Sequence, residues 1–387
     1  MKSFRTVLFW VHLAAGASAG IVILIMSVTG VALTYEKQML EWADRRAASV
    51  VPGPAHQTPE ELLGTAPTAM SGKAPIGLTL RADATAPATI TFEGNAALLV
   101  DPYTGAVIGE PPARIRSFFR TMTLWHRYLA LEGTSRATGK AITGAANLGF
   151  LFLVVSGLYL WSPRIWNWIQ FRNVLWFRRG LSAKARDFNW HNTIGFWTCV
   201  PLAIIVAGVV PISYSWGNTL VYRMVGDTPP PAAAPAAARP AEQKPQTYVS
   251  DGLNASWSAA VAEVPGWRTM TTRLATSAKS PIVLTVDEGY GGQPQKRHTM
   301  SFDRASGAVI KDETFQSLSI GRRARSWLRF AHTGEFYGLT GQTIAGIASA
   351  GGAFLVYTGL ALAIRRLLRW IKRPNAAPDS FDRQRAA

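Results

Sequence analysis

The sequence predicts a membrane protein with four transmembrane α-helices in a duplicated helix–domain–helix arrangement, in which each half carries a small α+β module. Charged residues make up only 16% of the 387 residues, which argues against a purely soluble protein. Four long runs carry no charge, and each reaches or exceeds the roughly 20 apolar residues that a helix needs to cross the hydrocarbon. We assign the four spans to residues 6–35, 141–163, 188–222 and 336–368.

The first span begins like a secretory signal peptide. Lys2 and Arg5 precede it, and residues 17–19 (Ala-Ser-Ala) resemble a cleavage site. The apolar run continues through residues 21–25, however, whereas the apolar region of a signal peptide is typically about 7–15 residues long. We therefore predict an anchor that stays in the membrane.

The net charge of +17 is mostly a consequence of topology. The amino-terminal stub, the loop 164–187 and the segment from residue 365 onward hold fifteen basic and three acidic residues. By the positive-inside rule these pieces, including the tail 369–387 and both termini, are cytoplasmic. The partner that this charge predicts is lipid rather than nucleic acid.

Two outward-facing segments carry the predicted α+β modules, at residues 36–113 and 248–319. Both contain a helix-like stretch and alternating strands, and both repeat one hairpin signal, at 98–108 and 300–310. In this signal an apolar strand meets an aspartate, a turn glycine follows, and Ala-Val-Ile begins the next strand. The stretch 228–247, rich in Pro and Ala, is a semi-extended spacer.

A basic, aromatic segment precedes the second and the fourth span. The spacing suits amphipathic helices at the outer membrane interface, over residues 114–140 and 320–335. Each segment contains a histidine near its junction with the span, His126 in one and His332 in the other.

Four histidines lie at equivalent places in the two halves: His12, His126, His191 and His332. His12 and His191 open spans one and three, so we expect them at similar depth on the cytoplasmic side. His126 and His332 are expected to meet on the outer side. Paired neutral imidazoles suit the two axial positions of b-type haem, so two haems are predicted. For any single histidine, an interfacial or packing role is the alternative.

Other residues near these histidines are candidate haem contacts. Gly16 and Gly195 follow the inner histidines by four residues and would let a flat macrocycle approach the backbone. Close helix packing is the alternative for both glycines. Arginines around the outer pair are candidate partners of the haem propionates, and lipid headgroups are their alternative partners. These arginines are Arg116, Arg120, Arg127, Arg325 and Arg329.

Other metal chemistry is less well supported. A closed zinc site needs four ligands, and Glu335 is the nearest acidic residue to these histidines. The only cysteine, Cys199, excludes disulfides and multi-cysteine sites, and no CxxCH motif for covalent haem occurs. His56 and His298 fall in polar stretches and are expected to be solvent-exposed.

Six short motifs recur beside the four spans. They are His12 with Gly16 and residues 27–30 (Ser-Val-Thr-Gly), 124–127 (Leu-Trp-His-Arg), 156–161 (Ser-Gly-Leu-Tyr-Leu-Trp), 190–195 (Trp-His-Asn-Thr-Ile-Gly), 332–334 (His-Thr-Gly) and 357–360 (Tyr-Thr-Gly-Leu). Together these motifs resemble the PepSY-associated transmembrane helix family, and the two modules resemble PepSY domains through their hairpin signals. The resemblance covers nearly the whole chain, and within the family the chain is similar to inner-membrane siderophore reductases of the FoxB type.

This resemblance implies a haem-containing oxidoreductase of the bacterial inner membrane that reduces ferric siderophore-bound iron in the periplasm. It implies the axial pairs His12 with His191 and His126 with His332. No Gly-rich nucleotide fingerprint follows a strand, so the electron donor is expected to be a quinol or a cytoplasmic reductase. Two alternatives stay open: a non-enzymatic siderophore-uptake accessory protein, and a haem-bearing sensor or electron-transfer subunit for a partner enzyme.

Overall fold

The computed structural model describes residues 2–65, 73–162, 167–231 and 248–372. Most of the predicted Pro/Ala spacer (232–247), the start of the predicted loop (164–166) and the end of the predicted tail (373–387) lie outside the described residues.

The chain divides into two compact units. The helical unit comprises Met1–Val31, Trp125–Val206 and Gly346–Ala387, and the sheet unit comprises Ala32–Leu124 and Ala207–Ala345.

The described helices lie in both units. In chain order they are α1 (Lys2–Leu33), α2 (Glu36–Ala47), α3 (Pro59–Thr65), α4 (Ala113–Tyr128), α5 (Arg136–Trp161), α6 (Trp168–Leu175), α7 (Ala183–Ser213), α8 (Ser215–Met224), α9 (Leu253–Glu263), α10 (Ile320–His332) and α11 (Gly338–Ile371). Four helical segments are long and apolar enough to cross a membrane, by length and composition. They are Ser3–Leu33, Gly133–Trp161, Ala183–Ser213 and Glu335–Ile371, one for each predicted span.

The third span is shorter than the predicted 188–222. Helix α7 ends at Ser213, and Tyr214 adopts extended backbone angles (φ −126°, ψ 130°) before α8 begins. Gly217 permits this corner, because a Cβ atom there would lie 2.9 Å from the carbonyl oxygen of Val210. The apolar character of the sequence continues across the corner, which is why one long helix was expected.

The predicted interfacial helix 114–140 is also interrupted. Helix α4 ends at Tyr128, and the next two residues, Leu129 and Ala130, have positive φ angles of 53° and 57°. Helix α5 then begins at Arg136, five residues before the predicted start of the second span.

Eight strands form the sheet unit's β-structure. They are β1 (Pro75–Arg81), β2 (Ala88–Phe92), β3 (Ala97–Val100), β4 (Val107–Gly109), β5 (Thr269–Arg273), β6 (Ile282–Asp287), β7 (Arg297–Phe302) and β8 (Val309–Thr314). All neighbouring strands are antiparallel, in the order β4-β3-β2-β1-β5-β6-β7-β8.

The segments predicted as two separate modules, 36–113 and 248–319, therefore share one continuous sheet. Strands β1 and β5 join them, with Gly77 opposite Arg273 and Arg81 opposite Thr269. Pairing removes two strand edges whose backbone groups would otherwise lack partners. Two modules were expected because the spacing within each segment does not reveal which edge strands will meet.

One hydrophobic core runs under this sheet and beneath α3 and α9. It draws on both segments: Leu78 and Ile90 come from the first, and Met270 and Leu284 from the second, each at most 1% exposed. Helices α3 and α9 are joined by reciprocal hydrogen bonds, since the Glu60 amide donates to Asn254 and the Asn254 amide donates to Glu60.

The repeated hairpin signal forms matching turns. Asp101 accepts a hydrogen bond from the Tyr103 amide, and Asp303 accepts one from the Ser306 amide, both at 2.8 Å. The turn glycines 105 and 307 have φ angles of 72° and 70°, which favour glycine.

The two histidines outside the motifs differ from each other. His56 is exposed, as expected. His298 is not: it lies half-buried on β7, with Nδ1 2.9 Å from Asp312 and Nε2 3.6 Å from Glu288. The expectation of a solvated loop residue was wrong because the polar stretch around His298 is a strand of the sheet.

Candidate functional site

The helical unit contains an open cavity of about 1060 Å³. Residues of α1, α5, α7 and α11 line it, and most of the lining side chains are apolar. Small-molecule sites in proteins are typically about 300–1,000 Å³, so this cavity is large enough for a cofactor.

His12 and His191 both line this cavity, His12 from α1 and His191 from α7. The Nδ1 atom of His12 lies 2.8 Å from the hydroxyl oxygen of Ser156 on α5. The Nδ1 atom of His191 lies 2.9 Å from the hydroxyl oxygen of Thr358 on α11. Each imidazole is thus held at Nδ1 by a hydroxyl from another helix, and the His191 ring also has a hydrogen bond to the backbone of Leu355.

Gly16 and Gly195 also line the cavity. A Cβ atom at Gly16 would lie 3.8 Å from a Leu153 methyl group, and one at Gly195 would lie 3.5 Å from a Leu355 methyl group. These are ordinary van der Waals distances. By contrast, a Cβ atom at Gly208 would lie 2.5 Å from a backbone oxygen. Close helix packing therefore explains Gly208 but not the two cavity glycines.

Cationic side chains line the cavity where α1 and α7 begin and where α5 and α11 end. They are Arg5, Lys184, Arg366 and Arg369. Arg5 donates a hydrogen bond to the Ser162 carbonyl at 3.0 Å, and Arg366 stacks over the Trp10 ring at 4.5 Å. An arginine-rich surround was expected only for the outer histidine pair. That expectation was wrong, because Arg5 and Lys184 lie seven residues before His12 and His191 on the same helices, and α11 adds Arg366 and Arg369 from its far end.

Trp161 adds a polar group to the same part of the cavity lining. Its indole Nε1 is buried and has no hydrogen-bond partner among the described residues. A buried donor without a partner is costly, so this N–H group is suited to an acceptor on a bound molecule.

His126 and His332 lie elsewhere. His126 is in the last turn of α4, within the helical unit, and its Nδ1 lies 3.0 Å from the hydroxyl oxygen of Thr29. His332 is the last residue of α10, within the sheet unit. Neither is part of the cavity lining described above. The pairing of His126 with His332 stays a prediction.

The arginines predicted near the outer pair have other contacts. Arg116 forms an ion pair with Asp44, and Arg325 donates to the Asn218 side chain at 2.6 Å. Arg127 lies 5.3 Å from the centre of the Tyr128 ring, Arg329 lies 5.4 Å from that of Phe330, and Arg120 is exposed.

The zinc alternative finds no support in the described residues. No group of three or more His, Cys, Asp or Glu side chains comes together there in a form that suits a metal ion. A haem iron needs only two protein ligands in addition to its macrocycle, so the same finding does not weigh against haem.

Fold and site together define a polytopic membrane protein with a large apolar cavity between its long helices, into which two histidines face. The chain belongs to the PepSY-associated TM region family, whose model matches residues 9–366. No curated protein matches the sequence significantly.

Proposed function

We propose that this protein is a haem b-containing reductase of the bacterial inner membrane, which passes electrons across the membrane to ferric siderophore-bound iron in the periplasm. The observation that carries the proposal is the apolar cavity with His12 and His191 in its wall. The substrate class rests on the sequence resemblance to ferric-siderophore reductases, and the orientation rests on the positive-inside distribution of charge.

The residues around the cavity fit haem b. His12 and His191 would supply the axial nitrogens, and Gly16 and Gly195 leave space for a flat ring beside the backbone. Most of the wall is apolar, as the macrocycle of haem requires. Haem, when bound, supplies one-electron redox chemistry, while the protein sets its position and surroundings.

The cationic end of the cavity fits the two propionates of haem. Arg5, Lys184, Arg366 and Arg369 would balance their negative charge, and the unpartnered Trp161 N–H group would donate to a carboxylate oxygen. Buried carboxylates are tolerated where cations and hydrogen-bond donors surround them.

The sequence resemblance supports a second haem, with His126 and His332 as its proposed ligands and Arg120, Arg127, Arg325 and Arg329 as candidate propionate partners. The donor of electrons is proposed to be a quinol or a cytoplasmic reductase.

Absorption spectra of the purified, dithionite-reduced protein test haem binding directly. We expect Soret and α bands, and His191→Ala should remove the part of the absorbance that belongs to the cavity haem. Gly195→Leu should have the same effect by filling the cavity. Ala14→Leu, at an exposed α1 residue outside the cavity lining, is the matched control and should keep the full spectrum.

Reduction of a ferric siderophore by the protein in liposomes tests the activity. Haem without ferric reduction would favour an electron-transfer subunit, and a protein without haem bands would favour a siderophore-uptake accessory. Either outcome would overturn the proposed reductase function.

A further inference from the structure

Three of the four motif histidines share one local arrangement. In each, the imidazole contacts a hydroxyl residue and the glycine that follows it on another helix. The Nδ1-to-oxygen distances are 2.8 Å for His12 with Ser156, 2.9 Å for His191 with Thr358 and 3.0 Å for His126 with Thr29. A Cβ atom on the following glycine would lie 3.4, 3.4 and 3.5 Å, respectively, from Cε1 of the ring.

The direction of each hydrogen bond follows from the proton of the hydroxyl. Ser156 donates to the Phe152 carbonyl at 2.6 Å, and Thr358 donates to the Phe354 carbonyl at 2.8 Å. A hydroxyl has one proton and two lone pairs. Since the proton is directed to the helix backbone, the oxygen is left to accept from the imidazole. The Nδ1 atom must therefore carry the proton of the neutral ring.

Thr29 repeats this geometry for His126. Its hydroxyl donates to the Ile25 carbonyl at 2.6 Å, four residues earlier in α1, and so accepts from Nδ1 of His126. The same three-part arrangement of backbone carbonyl, hydroxyl and imidazole thus occurs three times in the helical unit, on α1, α5 and α11.

We propose that Ser156, Thr358 and Thr29 are positioning residues, each of which holds its histidine as the Nδ1–H tautomer; for His12 and His191, which line the cavity, this tautomer leaves the Nε2 lone pair for haem iron. The haem part of this inference rests on the proposed function. The other ring nitrogen of a metal-binding histidine characteristically donates to an outer-shell acceptor, which fixes tautomer and ring orientation. The glycine after each hydroxyl lets the ring lie close to the helix.

A hydroxyl suits this role inside a membrane. A carboxylate would accept more strongly from Nδ1, but a charge within a span is costly. A hydroxyl already bonded to its own helix offers a neutral acceptor of fixed direction.

His332 differs from the other three. Gly208 on α7 packs against it, and a Cβ atom there would lie 3.1 Å from the Cβ atom of His332 rather than against the ring. The residue before this glycine is Ala207, so this position has no side-chain hydroxyl. The proposal is therefore confined to three histidines.

The test compares Thr358→Val with Thr198→Val in the full-length protein. Thr198 is the matched control, because its hydroxyl also donates to a carbonyl four residues earlier, at 2.7 Å, and contacts no histidine. In both variants, valine keeps the shape of the threonine side chain and removes its hydroxyl group. Ser156→Ala repeats the test at His12, and Thr358→Ser should restore what Thr358→Val loses.

Two measurements are made on each variant. Nitrogen-15 NMR of histidine-labelled, haem-free protein reports the tautomer, and His191→Ala assigns the signal. We expect Ser156→Ala to reduce the Nδ1–H population of His12, Thr358→Val to reduce that of His191 in part, because the Leu355 backbone remains bonded to the ring, and Thr198→Val to leave both unchanged. In haem-loaded protein, transfer of haem to an apo-globin acceptor should be about 10- to 100-fold faster in Thr358→Val and Ser156→Ala.

Unchanged tautomers and unchanged haem loss in both Thr358→Val and Ser156→Ala would overturn the proposal. If the wild-type protein binds no haem but the variants still change the histidine tautomer, the proposed function is overturned, whereas the selection of the tautomer by the hydroxyl residues is supported. A purely structural role of Thr358 would alter stability in Thr358→Val without moving the tautomer signal, and that result would also overturn the proposal.

Discussion

Arg116→Met tests whether an arginine near the predicted outer site belongs to the fold or to a cofactor. Two guanidinium N–H groups of Arg116 donate to the two carboxylate oxygens of Asp44, both at 2.9 Å. The Asp44 side chain is 4% exposed and that of Arg116 is 35% exposed. The sequence predicts Arg116 as a propionate partner, whereas this bidentate pair indicates a structural role within the sheet unit.

The expected loss of stability follows from which charge is left behind. Removing one partner of a buried ion pair typically costs about 3–5 kcal/mol, because the remaining charge is uncompensated. Water reaches about a third of Arg116 and screens the pair, so we expect a cost below that range, about 2–3 kcal/mol. For a domain of 150–250 residues, this corresponds to a fall in Tm of roughly 4–12 °C.

Thermal unfolding of the full-length protein in detergent, with haem absorbance measured on the same samples, checks this expectation. Arg116→Met should lower Tm and leave the haem-to-protein ratio unchanged. Adding Asp44→Asn to Arg116→Met should recover part of the lost Tm, because it removes the unpaired carboxylate. Arg325→Met, at an exposed arginine, should change Tm by much less. An unchanged Tm with a lower haem content in Arg116→Met would refute the structural role.

Two further predictions follow from the packing and charge of the described residues. Gly208→Ala should lower Tm strongly, because its Cβ atom would lie 2.5 Å from the Leu328 carbonyl oxygen. Gly195→Ala, on the same helix, should leave Tm nearly unchanged. Equal Tm values for the two variants would contradict this prediction. The Arg322 guanidinium lowers the pKa of the Glu313 carboxyl below its ordinary 4.5. The resulting stabilisation is present at neutral pH and is lost as the pH falls from about 4.5 toward the lowered pKa. Arg322→Met should therefore reduce the loss of stability over this acidic pH range by less than about 1 kcal/mol. An unchanged profile of stability against pH would contradict this prediction.

The long helices could be predicted from the sequence because their signal is local. An uncharged run of sufficient length is a property of consecutive residues, and so is the hairpin signal with its aspartate and turn glycine. The pairing of β1 with β5 is not local. Nothing in residues 75–81 shows that their free edge will meet residues 269–273 rather than water. The corner at Tyr214 was likewise hidden, since it depends on the packing of Gly217 against Val210.

The candidate site was predictable to the same extent. His12 and His191 stand out because a histidine at the start of an apolar span is costly and needs a reason. Their hydroxyl partners lie 144 and 167 residues away along the chain, and no local sequence pattern reveals contacts between residues so far apart. The recurrence of Ser-Gly or Thr-Gly within three spans was the signal available, and it acquires a role only when the helices are placed together.

The charges of the cavity bear on what occupies it. Its described lining contains Arg5, Lys184, Arg366 and Arg369 but no aspartate or glutamate, so its fixed charge is positive. A quinol is uncharged and would make no ion pair with these cations, three of which, Lys184, Arg366 and Arg369, are exposed. Haem brings two carboxylates and two vacant axial positions, which match the cations and the two imidazoles at once. On charge alone, the lining of the cavity therefore suits haem better than a quinol.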